Sequence, residues 1–212
     1  MRKPIVFRAF VCLEVLLVVA LVILLIAAAA PNLYEARTRS EVSRVRADLR
    51  SMSRALSSYV VDWLVPPPGA NHLTRFGCPG YLGAMPSYAN ARGQCRLTTP
   101  VAYISSLPPD PFAYNVVFAF PVPQYSSLFG YNTYYCPALP KKDRDAFAAG
   151  YTWSLHSPGP SRNADRSIAG VILGVVSPYP GEVSYAYDPS NGTLSFGWII
   201  RTNKGEFSVP EP

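Results

Sequence analysis

The sequence predicts an α+β protein: a long N-terminal helix, membrane-spanning in its first half, packed on a small and mostly antiparallel sheet. Three observations carry this. Residues Phe10 to Ala30 form an apolar run of 21 residues whose one charged side chain is Glu14. Beyond it, Val42, Val45, Leu49, Met52, Leu56, Tyr59 and Trp63 recur at alternating spacings of three and four, the pattern of a single apolar helix face. From Pro66 onward the chain is rich in proline, glycine and tyrosine, with short alternating apolar runs, which suits strands and turns.

The N-terminal run is long enough to matter physically. A helix of this length spans about 31 Å, close to the hydrocarbon thickness of a bilayer. Arg2, Lys3 and Arg8 precede it without any acidic residue, so this end is expected to stay in the cytoplasm while the rest is exported. They also supply half of the net charge of +6, and the remaining excess is a poor argument for a nucleic-acid partner. With 49 % hydrophobic and 15 % charged residues, the chain is not a disordered tail. The part outside the run is large enough for one domain with its own core.

Three readings of the N-terminus compete. A secretory signal peptide would use Ala27–Ala30 as its cleavage site, but the run is longer than usual and Pro31 would adjoin the cut. A plain anchor explains the length and the flanking charges yet leaves Glu14 without a reason, although a carboxylate deep in lipid costs about 2.5–3.5 kcal/mol. The third reading follows from a resemblance. The stretch Arg8-Ala9-Phe10-Val11-Cys12-Leu13-Glu14-Val15-Leu16-Leu17-Val18-Val19 resembles the N-terminal signal of type IV pilins and type II secretion pseudopilins.

That resemblance implies a leader, residues 1–9, removed by a prepilin peptidase between Ala9 and Phe10, with methylation of the new Phe10 amine. Ala9 departs from the family's usual glycine. It implies that Glu14 serves subunit assembly by facing the Phe10 amine of a neighbouring copy, and that Pro31 kinks the helix. Residues 10–30 would then be a membrane span before assembly and a filament core afterwards. Residues 31–65 would be an amphipathic continuation, and 66–212 an exported, loop-rich β domain. The implied partners are other copies of the chain, the peptidase, the inner-membrane assembly machinery and membrane lipid. The implied location is the bacterial inner membrane, single-pass, with the C-terminal domain periplasmic or extracellular.

Within the exported part, Pro66-Pro67-Pro68-Gly69 ends the helix. Thirteen of the 22 prolines fall between Pro66 and Pro140. The segment Thr98–Phe112, ending Leu-Pro-Pro-Asp-Pro-Phe, is similar to a segment of major pseudopilins, and Asp110 reads as a turn former. Tyr114–Phe120 is expected to be a strand. Residues 121–150 show no clear period and are expected to be loop core around Tyr131, Tyr134 and Tyr135. Tyr151–Ser157 alternates as a strand. Val171–Val176 fits a strand or a short helix. Glu182–Asp188 and Thr193–Arg201 are expected to form a hairpin about Asn191-Gly192.

For the cysteines, Cys78 and Cys95 flank a short loop and are expected to pair, worth about 3 kcal/mol of loop-closure entropy. Cys136 would then be free or would replace one of them. Ser157–Ser161 is similar to a loop that helps bind calcium in major pseudopilins. Here the aspartate position is Ser161, and Asp165, between Arg162 and Arg166, is a poor substitute for the anionic oxygens calcium requires. No cofactor is therefore expected. The motifs of hydrolases, zinc proteases and phosphate loops are absent from the sequence, and a non-enzymatic role is expected. The alternative to a secretion filament is a minor or competence-type pilin whose domain binds DNA or a surface, its only support being the Arg-rich helix and the tyrosines.

Overall fold

A computed structural model of the protein describes residues 5–69, 93–113, 128–136, 139–162, 168–174, 186–188 and 197–207, the first eight as backbone only. Helix α1 runs from Ile5 to Trp63 and passes through Pro31 without interruption. The chain divides into two compact units, Met1–Ser40 and Glu41–Pro212. In the second unit, α1 packs on a four-stranded antiparallel sheet of order β1-β2-β3-β4: Gly130–Thr133, Trp153–Ser157, Ile199–Thr202 and Gly205–Phe207.

The apolar stripe of α1 is buried as its spacing requires. Val42, Val45, Leu49, Met52, Leu56 and Tyr59 join Phe129, Tyr131, Trp153, Leu155 and Ile199 in one core. Trp63 is the exception. It is 55 % exposed and stacks on Tyr59 with ring centroids 5.9 Å apart. The helix ends one residue later, where Leu64 takes a left-handed φ of 62°, and Pro66–Pro68 exclude any continuation. The carbonyl of Pro67 accepts the hydroxyl of Tyr131 at 2.7 Å, and Gly69 N–H donates to Thr133 Oγ1 at 3.0 Å. The prolines, which donate nothing themselves, are thus pinned to β1.

Strand side chains alternate between faces. Trp153, Leu155 and Ile199 meet α1, whereas Ile200 and Trp198 belong to a second core with Tyr134, Ala146, Ile168, Ala169, Val171 and Ile172. That second layer is made by α2 (Lys141–Ala148) and α3 (Ile168–Ile172). The sheet is therefore covered on both faces. Ser154 reaches into the second layer and is satisfied there by the Tyr134 hydroxyl at 2.7 Å.

Several expectations need correction. Residues 121–150 contain an edge strand, β1, and a helix, α2, so they are not simply loop; Tyr131 lies in the strand, and Tyr131 and Tyr134 are both buried. Of the two forms expected for 171–176, the short helix is the one found at Val171 and Ile172. The expected hairpin between 182–188 and 193–201 is not what Ala186 and Trp198 show, because their bridge is parallel. Ile199–Thr202 turns instead at Asn203-Lys204 and pairs with β4. The cause is tertiary. Asn203 accepts Thr152 N–H at 2.9 Å and donates to the Gly150 carbonyl at 3.0 Å. Lys204 Nζ donates to the Ala149 carbonyl at 2.6 Å, just past the end of α2. Residues 114–120, 175–176, 182–185 and 189–196 of the expected elements lie outside the described residues.

Gly130 is required by close approach. A Cβ there would overlap the His156 imidazole across the β1–β2 pair. His156 is boxed in on its other side by Trp198, edge to face at 5.1 Å. Gly130→Ala should therefore destabilise the domain by about 1–3 kcal/mol through forced displacement, read as a fall in the denaturation midpoint with an unchanged slope.

Candidate functional site

The feature that sets this chain apart is the first part of α1. From Leu13 to Ile26, the large apolar side chains are 47–71 % exposed, and they point in every direction around the helix rather than along one stripe. A soluble surface does not carry this, nor does a core helix, since none of the described residues covers it. The helix is long and apolar enough to cross a membrane. A leucine or valine costs up to about 1.5–3 kcal/mol in water relative to an apolar surrounding when fully exposed, and these, half to two-thirds exposed, forfeit a large part of that. A dozen such residues together require lipid or other protein around them.

Glu14 projects from this surface and is itself exposed. It has no hydrogen bond or ion pair among the described residues. It lies four residues, about 6 Å of helix rise, beyond Phe10. Ala9 and Phe10 are helical in backbone, and their side chains lie outside the description. The structure therefore places Ala9, Phe10, Glu14 and Pro31 on one continuous helix. Among the described residues it brings Glu14 to no cationic partner.

The predicted disulfide is corrected. Cys95 is a free, exposed thiol. Cys136 is buried and disulfide-bonded, to a partner outside the described residues. The short spacing that favoured Cys78–Cys95 is overridden by where the fold puts the sulfurs: Cys95 at the surface and Cys136 beneath it. Among the described residues no group of three or more metal-ligating side chains is assembled. Asp165 lies outside them.

One constellation escaped sequence reasoning. Asp110 does form the expected turn, its Oδ1 accepting Phe112 N–H at 2.9 Å. Yet it is only 3 % exposed, and the same Oδ1 accepts the Ser157 hydroxyl at 3.0 Å. Its Oδ2 is buried without a hydrogen-bond partner among the described residues. Burial pushes this carboxyl up to about 6, against the lowering effect of the Phe112 N–H, the Ser157 hydroxyl, the Ala113 N–H and the Arg162 charge. His156, adjacent to Ser157, has a buried Nδ1 without a partner, and burial pushes its imidazole down to about 3. Asp, Ser and His here are not a catalytic relay. Consecutive strand residues face opposite ways, so Ser157 meets Asp110 while His156 meets Trp198. Only the Asp-Pro pair was visible in the sequence; the partner hydroxyl is 47 residues away.

Three of the helix arginines are neutralised within the chain. Arg39 pairs with Glu35 at 3.3 Å and Arg44 with Asp48 at 3.7 Å, both one helical turn apart. Arg46 reaches Glu206 of β4 at 2.9 Å and lies over the Tyr187 ring. Compared with protein-family profiles, curated protein sequences and solved structures, the chain matches none.

Proposed function

We propose that this chain is a structural subunit of a pilin-like filament of the type II secretion pseudopilus kind, held in the inner membrane by residues 10–30 and then stacked through the same residues to drive export. The observation that supports this reading best is Glu14. It is a lone carboxylate without a partner among the described residues, on an all-round apolar helix, at a fixed short distance from the residue that resembles a prepilin cleavage point. A plain anchor gains nothing from such a charge. In a stack, the Phe10 amine freed by cleavage is cationic at neutral pH. Pairing with Glu14 of a neighbour offsets the burial of both, and any register that leaves them apart is penalised.

The mechanism is mechanical. The domain beyond Glu41 keeps its own core, with its stretch of α1 buried on the sheet, so it is carried as a folded load. The apolar part of α1 exchanges lipid for other helices. Intact mass of the membrane-extracted protein tests the reading. The expected species lacks Met1–Ala9 and carries one methyl on the Phe10 amine. A chain retaining Met1–Ala9, or one starting at Pro31, would overturn it.

A DNA-binding minor pilin is the second reading. Arg50 and Arg54 favour it, being exposed one turn apart on α1. The ion pairs of Arg39, Arg44 and Arg46 weigh against it, since they leave a short basic face. Salt-sensitive DNA binding by the purified chain would support it, and no binding at low salt would remove it.

A further inference from the structure

We propose that the Asp110–Ser157 contact is a pH-dependent latch, holding the Pro108–Ala113 turn against the end of β2 more tightly in mildly acidic than in neutral or alkaline surroundings. This goes beyond the filament reading and does not rest on it.

The geometry is that of a clasp between distant segments. One carboxylate oxygen takes both the turn's own Phe112 N–H and the Ser157 hydroxyl. The Ser157 hydroxyl is also 3.4 Å from Gly159 N–H, tying the loop after β2 into the same knot. Phe112, two residues on, is buried in the core beneath α1. Pro109 bridges to Leu128 just ahead of β1. Opening the turn would therefore bare Phe112 and loosen the entry to β1.

The other oxygen decides the pH sense. Oδ2 is buried with no hydrogen-bond partner among the described residues, and the nearby Ala113 N–H lowers the carboxyl less than burial raises it, so an ionised Asp110 leaves part of its charge unsolvated in the closed turn, whereas in the open turn water solvates it fully. Arg162, in the loop after β2, is the charged group among the described residues that acts on it, and its effect does not outweigh burial. The closed turn thus holds the proton up to about pH 6, against an ordinary value of 3.8 in the open one. A raised value in the closed state means that its advantage is full below the ordinary value, declines as pH rises and levels off above about pH 6. His156 acts in the opposite sense on the stability of the whole domain, because its lowered value removes stability as pH falls below the usual histidine range. A local probe of the turn separates the two.

The experiment is amide hydrogen exchange of the full chain in detergent, read at Phe112 and corrected for intrinsic rates, between pH 5 and pH 8. From the two proton affinities, protection of Phe112 should fall by about tenfold across this range. In Asp110→Asn, which keeps the acceptor oxygen and cannot ionise, the fall should vanish. In Ser157→Ala, which removes a donor that favours the ionised form, its midpoint should move to higher pH. Protection that is independent of pH in the wild type would overturn the latch, as would the same fall persisting in Asp110→Asn. Should that variant fail to fold, the carboxyl carbon resonance of Asp110 in the wild type decides. Titration near pH 6 supports the latch, and titration in the ordinary aspartate range refutes it.

Discussion

Glu14→Ala should insert into the membrane at least as well as the wild type and should fail to enter filaments. The first half follows from transfer costs: removing the carboxylate relieves about 2.5–3.5 kcal/mol at the depth of a span. The second follows from what remains on the helix surface. Lipid tails are as apolar as leucine, so moving the exposed side chains of Leu13–Ile26 from lipid to neighbouring helices gains little from the hydrophobic effect. Packing and the one polar contact are left to select partner and register. Losing the partner of a buried charge costs about 3–5 kcal/mol, enough to lower incorporation by two orders of magnitude or more. Filament yield from cells making comparable amounts of membrane-inserted wild type and variant checks this. Wild-type yield from Glu14→Ala would refute the pairing. Glu14→Asp, charged but shorter, should fall between.

Leu155→Ala should be the most damaging single truncation in the domain beyond Glu41. Leu155 is fully buried. It sits in the middle of β2, with β1 and β3 on either side, and on the face that meets α1. Flanked by strands and roofed by a helix, the site has little freedom to collapse, so the loss belongs in the upper part of the 2–5 kcal/mol range for such changes. Against a total of about 5–15 kcal/mol for a typical domain, this takes away a large share. Val101→Ala, at a half-exposed position, should shift stability by no more than about 0.5 kcal/mol. Denaturant midpoints of the two variants, measured side by side, test the ranking. Equal midpoints would mean that the β2–α1 contact is not the keystone of the core.

What could be read from the residues depended on the range of the interactions. The stripe from Val42 to Tyr59 spans five helical turns, and its period alone identifies the face that is buried. Trp63 continues the period but is the last helical residue, 55 % exposed and covered by no described strand. Trp153–Ser157 alternates clearly enough to be found alone. β1 does not, because its four residues are held by partners far away: the Tyr131 hydroxyl by Pro67 and the Thr133 hydroxyl by Gly69, each 64 residues off. The turn at Asn203-Lys204 was hidden for the same reason. Asn191-Gly192 is the stronger local turn signal, yet Asn203 and Lys204 anchor to residues 149–152 at more than 50 residues' separation. The cysteines show the same bias, since spacing suggests Cys95 and burial selects Cys136. Asp110 was identified as a turn residue, but its burial depends on β2. Glu14 is the opposite case: its oddity is plain in the sequence, and its partner would lie in another molecule.

The last strand has a consequence for crowding. β4, at the edge of the described sheet, is three residues long, and its middle residue is the exposed Glu206, ion-paired with Arg46 of α1. Short, charged edges resist the addition of a foreign strand. Where many copies of this domain are brought close together, the sheet of one is thus guarded against growing into the next along this edge. Neighbours must meet there through side chains, which can be parted again, rather than through a shared backbone ladder, which could not.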